Sequence, residues 1–199
     1  EVLIEVHAAP ISPSDLALLI TFGGDLSNIN ISGSEENTVA SMKVHPAMMK
    51  SMKSRLDQAM PAGNEGAGIV IDAGSNVKHL TGKTVGLAGG AMYSQYICVP
   101  AVNCLVMDDE TTAAEAASSF VNPMTALSFV ETMKMENHSG IVNTAAASNL
   151  GQMLVKICND DDIPLVNIVR TQEQVDLLKN IGAKYVCNTS EENFKETLV

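Results

Sequence analysis

Residues 140–187 read GIVNTAAASNLGQMLVKICNDDDIPLVNIVRTQEQVDLLKNIGAKYVC. Short apolar runs at Ile141–Ala145, Leu165–Val169 and Tyr185–Cys187 have the length and bounds of buried strands. Between the first two, Leu150, Met153, Leu154, Ile157 and Cys158 recur at i, i+3, i+4, i+7 and i+8, which predicts a helix over Asn149–Cys158 packed by one face. Between the second and third, Gln172–Asn180 reads as a helix. Thr171 and Gln174 cap its start, and Gly182 ends it where a left-handed residue is wanted. Another helix is expected to begin after Ser190. Strand, helix, strand, helix, strand is βαβαβ, the first half of a doubly wound parallel sheet.

The turn after the first of these strands is Ala145-Ala146-Ala147-Ser148-Asn149-Leu150-Gly151. Small side chains there leave room for a diphosphate against the amides at a helix N-terminus, and Gly151 permits close approach of helix to sheet. It is a degraded glycine fingerprint, because Ala and Ser occupy places where glycines are usual. The plain alternative is a βα turn of small residues with no ligand. At the tip of the second strand stands Arg170, where an acidic residue would bind the ribose hydroxyl of NAD. An Arg suits the 2′-phosphate of NADP(H) through charge-assisted hydrogen bonds; a solvated surface Arg is the alternative.

Upstream, the pattern changes. Val2-Ile4-Val6 alternates, apolar runs follow at Ile69–Ile71 and Thr84–Leu87, and Tyr93–Val99 ends at Pro100. These predict a small barrel or sandwich of antiparallel strands. Residues 24–60 interrupt it as an insert: a polar loop over 24–40, then an amphipathic helix from Pro46 through Met48, Met49, Met52, Leu56 and Met60. The insert reads as a lid, a subunit contact or plain core. Thr112 and Glu115 form a capping-box pair before Ala116-Ala117, and Asn122-Pro123 opens a helix with Leu127, Val130 and Met133 or Lys134 at helical spacing. Two domains are expected, 1–118 and 119–199.

Composition narrows the partners. Twelve Lys and Arg against 23 Asp and Glu give a net charge of −11, which disfavours nucleic acid and anionic membrane surfaces. No run approaches the roughly 20 apolar residues of a membrane span, and the first residues do not form a signal-peptide core, so a cytoplasmic protein is expected. The cysteines, Cys98, Cys104, Cys158 and Cys187, lack the close pairing of a disulfide framework or zinc knuckle. They are expected to be free thiols.

Six phrases spread over nearly the whole chain resemble the medium-chain dehydrogenase/reductases, in their zinc-free quinone-oxidoreductase-like and enoyl-reductase-like branches. They are EVLIEVHAAPISPSDL at 1–16, MPAGNEGAGIVIDAGS at 60–75, GKTVGLAGGAMYSQYICVP at 82–100, VNPMTALSFVETM at 121–133, TAAASNLGQMLVKI at 144–157 and IPLVNIVRTQEQVDLLKNIGAKYV at 163–186. The resemblance implies an α/β protein: a GroES-like β-barrel carrying a substrate cleft, followed by the first half of a Rossmann domain that holds a nicotinamide cofactor. It also implies a strand before Glu1 and further parallel strands after Val199, so that the chain resembles a fragment.

Where zinc-using members place Cys and His ligands, this sequence has Ser12 and, in Gly63-Asn64-Glu65, Asn64. A third ligand position falls near Val121, and the four-cysteine lobe for structural zinc is missing, so no metal site is expected. Without a Lewis acid, the chemistry implied is reduction of a quinone or an α,β-unsaturated carbonyl compound by NADPH, with hydrogen-bond donors in the cleft. The alternatives are a zinc-free alcohol or aldehyde dehydrogenase and a non-catalytic nucleotide-binding protein. By the resemblance, Ser12, Asn64 and Tyr93 are the cleft candidates, with Tyr96 an alternative hydroxyl and Phe22 standing where related enoyl reductases carry a Tyr. Asn122 and Thr125 would lie beside the nicotinamide, and Ala147, Ser148, Asn149, Leu150 and Gly151 at the diphosphate. A small-molecule substrate and a homodimer complete the expectation.

Overall fold

The computed structural model describes residues 1–197 except 17, 18, 20–24, 51, 52 and 54–56. Phe22, Met52 and Leu56 therefore lie outside the described residues. The chain divides into two compact units, Glu1–Ser118 and Ser119–Val199.

In the first unit, β1 (Val2–Ala8) is followed by a one-turn helix α1 (Pro13–Leu16), then a two-stranded ribbon of β2 (Asn30–Ser32) and β3 (Val39–Ser41), and a second one-turn helix α2 (Pro46–Met49). β4 (Glu65–Ala73), β5 (Thr84–Ala88), β6 (Tyr96–Val99) and β7 (Cys104–Val106) follow, and α3 (Ala113–Ala116) closes the unit. The main sheet is antiparallel, in the order β6-β1-β4-β5-β7. Among the described residues its edge strands β6 and β7 do not pair with each other. Its inward positions are the alternating apolar ones: Val2, Ile4, Val70, Val85 and Leu87 are buried with Met92.

The structure departs from the expected pattern in three places. The stretch 24–40 contains the β2–β3 ribbon as well as loop; its exposed strands carry no alternating apolar face, so periodicity could not reveal them. The Ile69–Ile71 run lies inside a nine-residue strand, Glu65–Ala73, whose first half carries Gly66 and Gly68. Gly68 lies where β4 runs against β1: a Cβ there would overlap the Glu5 carbonyl oxygen and lie 2.8 Å from its carbon, the close approach that a strand glycine allows. Tyr93 precedes the strand that was expected to include it, because Gly89, Gly90 and Ala91 all take positive φ and turn the chain.

The second unit opens with α4 (Val121–Met135), then β8 (Ile141–Thr144), α5 (Asn149–Asp160), β9 (Leu165–Val169), α6 (Gln172–Asn180), β10 (Tyr185–Asn188) and a last turn α7 (Phe194–Thr197). The sheet is parallel in the order β10-β9-β8. The expected βαβαβ unit is present.

Its core gathers Leu154, Val155 and Cys158 of α5, Leu165 and Val169 of β9, Val175 and Leu178 of α6, and Ala126 and Val130 of α4. The buried stripe of α5 is Gly151, Leu154, Val155 and Cys158, shifted from the expected one: Leu150, Met153 and Ile157 flank it and are half-buried. On α4, Leu127 is exposed and Ala126 and Val130 are inside, so the smallest residue, which hydropathy discounts, marks the face. The cap of α6 also differs: Thr171 accepts from the Gln174 N–H, but the Gln174 side chain reaches one residue further back, to Arg170. Gly182 takes φ +92° at the end of α6, as its position implies.

A candidate nucleotide pocket and a carboxylate-centred loop cluster

A pocket of about 530 Å³ opens at the C-terminal ends of the three parallel strands, lined by Thr144, Ala145, Ala147 and Ser148 from the β8 turn, Val169, Arg170 and Gln174 around the β9 turn, and Thr189 after β10. This is the edge of an open α/β sheet at which ligands bind. Arg170 is the charged residue of the lining. On a chain of net charge −11, a cation without a carboxylate beside it in the lining favours an anionic ligand.

The turn between β8 and α5 is held from within. Ser148 caps α5, its Oγ accepting from the Gly151 N–H at 3.2 Å, and its own N–H donates to the Ala145 carbonyl at 3.0 Å. The N–H groups of Ala147, Asn149 and Leu150 have no partner among the described residues, which leaves donors at the positive end of a twelve-residue helix for an anion. A Cβ on Gly151 would overlap the Ala146 carbonyl oxygen and lie 2.6 Å from its carbon. The glycine is thus the condition for α5 to start against β8.

Ala145 takes φ +54°, a conformation in which a Cβ is strained. Ala145→Gly is expected to stabilise the chain by about 1 kcal/mol, read as a higher melting temperature; an unchanged or lower one would contradict it.

The expected cofactor residues therefore separate. Ala147, Ser148 and Arg170 line the pocket, and Asn149, Leu150 and Gly151 form the start of α5 behind it. Asn122 and Thr125 stand on α4 and are not in the lining. Thr125 Oγ1 donates to the Val121 carbonyl at 2.7 Å, a bond within its own helix.

In the first unit, Ser12, Asn64 and Tyr93 come together around a residue that the sequence reading passed over. Asp15 is 1% exposed. Its Oδ2 accepts from the Ser12 N–H at 3.1 Å and its Oδ1 from the Asn64 N–H at 2.9 Å. Asn64 Nδ2 donates to Ser14 Oγ at 2.9 Å, and the Tyr93 hydroxyl donates to the Pro10 carbonyl at 3.0 Å.

Burial, and then the Asp15 carboxylate, push the Tyr93 hydroxyl above the usual phenol range. Tyr93 is therefore a hydrogen-bond donor that gives up its proton reluctantly. Glu65, next to Asn64, is also 1% exposed. The signal for Asp15 was present as Ser12-Pro13-Ser14-Asp15, a capping residue and a carboxylate three positions on.

No family model matches the chain. Among curated proteins, the mitochondrial enoyl-[acyl-carrier-protein] reductase of Caenorhabditis elegans is 29% identical over an alignment of 201 positions that covers 96% of this chain and 49% of that protein. The protein of the same name from Xenopus tropicalis is 26% identical over 197 residues, covering 94% and 47%. Among solved structures, a protein of Mesorhizobium loti assigned as an NADPH:quinone reductase is 29% identical with a TM-score of 0.67, over 99% of this chain and 51% of that one. Escherichia coli quinone oxidoreductase, solved in complex with NADPH, has a TM-score of 0.67 at 21% identity over 99% and 52%, a likeness of fold.

These relatives and neighbours are quinone oxidoreductases and enoyl reductases of the medium-chain dehydrogenase/reductase type. The chain has the fold of the N-terminal part of such proteins and spans about half the length of the relatives it matches. Among the described residues no helix is long and apolar enough to cross a membrane.

Proposed function

We propose that this chain belongs to an NADPH-dependent oxidoreductase that transfers hydride to a quinone or an α,β-unsaturated carbonyl compound without zinc. The observation that carries the cofactor is Arg170, the charged residue in the lining of a pocket at the ends of β8, β9 and β10. Its guanidinium fits a phosphate ester on the ribose through paired hydrogen bonds, where a carboxylate would select a free hydroxyl. The amides of Asn149 and Leu150 at the start of α5 suit the diphosphate. The bound cofactor supplies the hydride. That one structural neighbour was solved with NADPH supports the same reading.

On the substrate side, Ser12, Asn64 and Tyr93 are the candidates. Ser12 and Asn64 bring a hydroxyl and a carboxamide, neither a ligand that holds zinc as thiolate and imidazole do. Asn64 keeps a second amide hydrogen beyond the one given to Ser14, and Ser14 keeps its own hydroxyl proton. Both can donate to an oxygen that gains charge as hydride adds to a conjugated system. Asn122 and Thr125 are assigned to the nicotinamide end by family resemblance. Domain roles follow: 1–118 catalytic, 119–199 nucleotide-binding.

A small-molecule substrate, with neither nucleic acid nor membrane as partner, accords with the acidic surface. A homodimer is proposed from the edge of β8, which pairs with no further strand among the described residues, and a monomer in sedimentation would overturn it. A cytoplasmic location rests on the sequence, whereas the curated relatives are named mitochondrial.

Titration of the 199-residue chain with NADPH and NADH tests the cofactor assignment. NADPH is expected to bind at least about tenfold more tightly, and Arg170→Asp to weaken NADPH by about 30-fold while sparing NADH. An unchanged preference in Arg170→Asp would remove the assignment. Substrate class is read from NADPH oxidation with quinones and enones in chelator-treated buffer by the protein that carries this chain.

A further inference from the structure

Gln174 lies in the first turn of α6, is half-buried, and lines the pocket together with Arg170. Thr171 Oγ1 accepts from its main-chain N–H at 3.4 Å, and its side-chain Oε1 accepts from the main-chain N–H of Arg170 at 2.9 Å. The two bonds close the turn that carries the guanidinium. They also fix the carboxamide, because a backbone N–H requires an oxygen. Oε1 must face Arg170, and Nε2 must face away. Nε2 has no partner among the described residues. The result is a pair of oriented donors beside a cation, in the wall of a pocket.

We propose that Gln174 is a positioning and specificity residue for a phosphate ester on the nucleotide ribose: Oε1 holds the Arg170 turn in place, and Nε2 donates to the same phosphate that the Arg170 guanidinium pairs with. The proposal rests on the reading of this pocket as an NADPH site and adds to it a second recognition element. A neutral donor beside Arg170 adds a hydrogen bond to the anion without competing for the guanidinium. A carboxylate at the same place would compete for it and repel the ester.

The test is calorimetric titration of the 199-residue chain with 2′,5′-ADP and with 5′-AMP, in the unmodified protein and in Gln174→Glu, Gln174→Met and Arg170→Asp. Gln174→Glu keeps an acceptor for the Arg170 N–H, so the turn and the melting temperature are expected to hold. Its dissociation constant for 2′,5′-ADP is expected to rise about 30-fold, with 5′-AMP changed by less than about twofold. Gln174→Met, which removes acceptor and donor at similar length, is expected to weaken 2′,5′-ADP about tenfold.

A purely structural role would instead weaken both nucleotides alike in Gln174→Met and neither in Gln174→Glu, and either result overturns the proposal. If the unmodified chain does not prefer 2′,5′-ADP to 5′-AMP, the pocket reading falls and the proposal with it. If that preference exists and depends on Arg170 but survives in Gln174→Glu, the proposal alone falls.

Discussion

Gly151→Ala is expected to destabilise the unit Ser119–Val199 by about 3 kcal/mol, at the upper end of what one added methyl costs in a packed core. The methyl would overlap the carbonyl oxygen of Ala146, with that residue's carbonyl carbon at 2.6 Å and its Cα at 2.8 Å. These are main-chain atoms of a residue that is fully buried, so no side chain can swing away. Relief requires α5 to move off β8, which would open the contact of Leu154 and Val155 with the sheet.

The same movement would displace the Asn149 and Leu150 amides, so NADPH binding should weaken with stability. Gly74→Ala serves as a control, because a Cβ there meets nothing closer than the Glu1 carbonyl oxygen at 3.5 Å; it is expected to be near neutral. Urea denaturation followed by circular dichroism, with hydrogen exchange of the α5 amides, measures both. A Gly151→Ala protein that unfolds at the same urea concentration as the parent would show that α5 does not start against β8.

The parallel unit was legible because its signals are local and redundant. Three short apolar runs, one strong helical stripe on α5 and caps at Thr171 and Gly182 agree with one another. The shift of the α5 stripe by a residue has a physical cause: Gly151 carries no hydropathy, yet it is the point of closest contact and sets which face is inside. Ala126 on α4 misled in the same way, since a small residue at a tight helix contact looks neutral in the sequence. In the first unit, β2 and β3 have exposed side chains throughout, and no hydrophobic period exists to read.

The pocket was legible in part. Ser148 and Arg170 lie in the turns that follow β8 and β9, and such turns can be counted from the strands. Gln174 was read as half of a capping box with Thr171. The sequence spacing cannot distinguish a carboxamide bonded to Thr171 from one bonded to Arg170, because that depends on the backbone of the turn. Asp15 was passed over for a different reason. One partner, Ser12, is three residues away, but the other, Asn64, is 49 residues away, and only the antiparallel fold joins them.

That long-range bond makes Asp15 the second site of large effect. Asp15→Ala is expected to destabilise the unit Glu1–Ser118 by about 3 kcal/mol, since it leaves the part-buried N–H groups of Ser12 and Asn64 both without their acceptor. Asp15→Asn is expected to cost about 2 kcal/mol, because a carboxamide has one oxygen and must turn its NH2 toward the second N–H.

Asp15→Asn also moves Tyr93. The Asp15 charge is the second cause, after burial, that holds the Tyr93 hydroxyl above its ordinary value of 10.0, so removing it should lower the hydroxyl's pKa part of the way back. A pKa raised in the folded state means that the unfolded chain gives up the proton first. The stability that Tyr93 contributes is then complete below the ordinary phenol value and declines as pH rises through it to the folded value.

In Asp15→Asn that alkaline decline should be shallower, although the protein is less stable at neutral pH. Spectrophotometric titration of the phenols in a Tyr96→Phe, Tyr185→Phe background isolates Tyr93, and urea denaturation from pH 7 to 11 follows the slope. A Tyr93 titration that is the same with Asp15 and with Asn at that position would mean that the carboxylate and the phenol do not share one site.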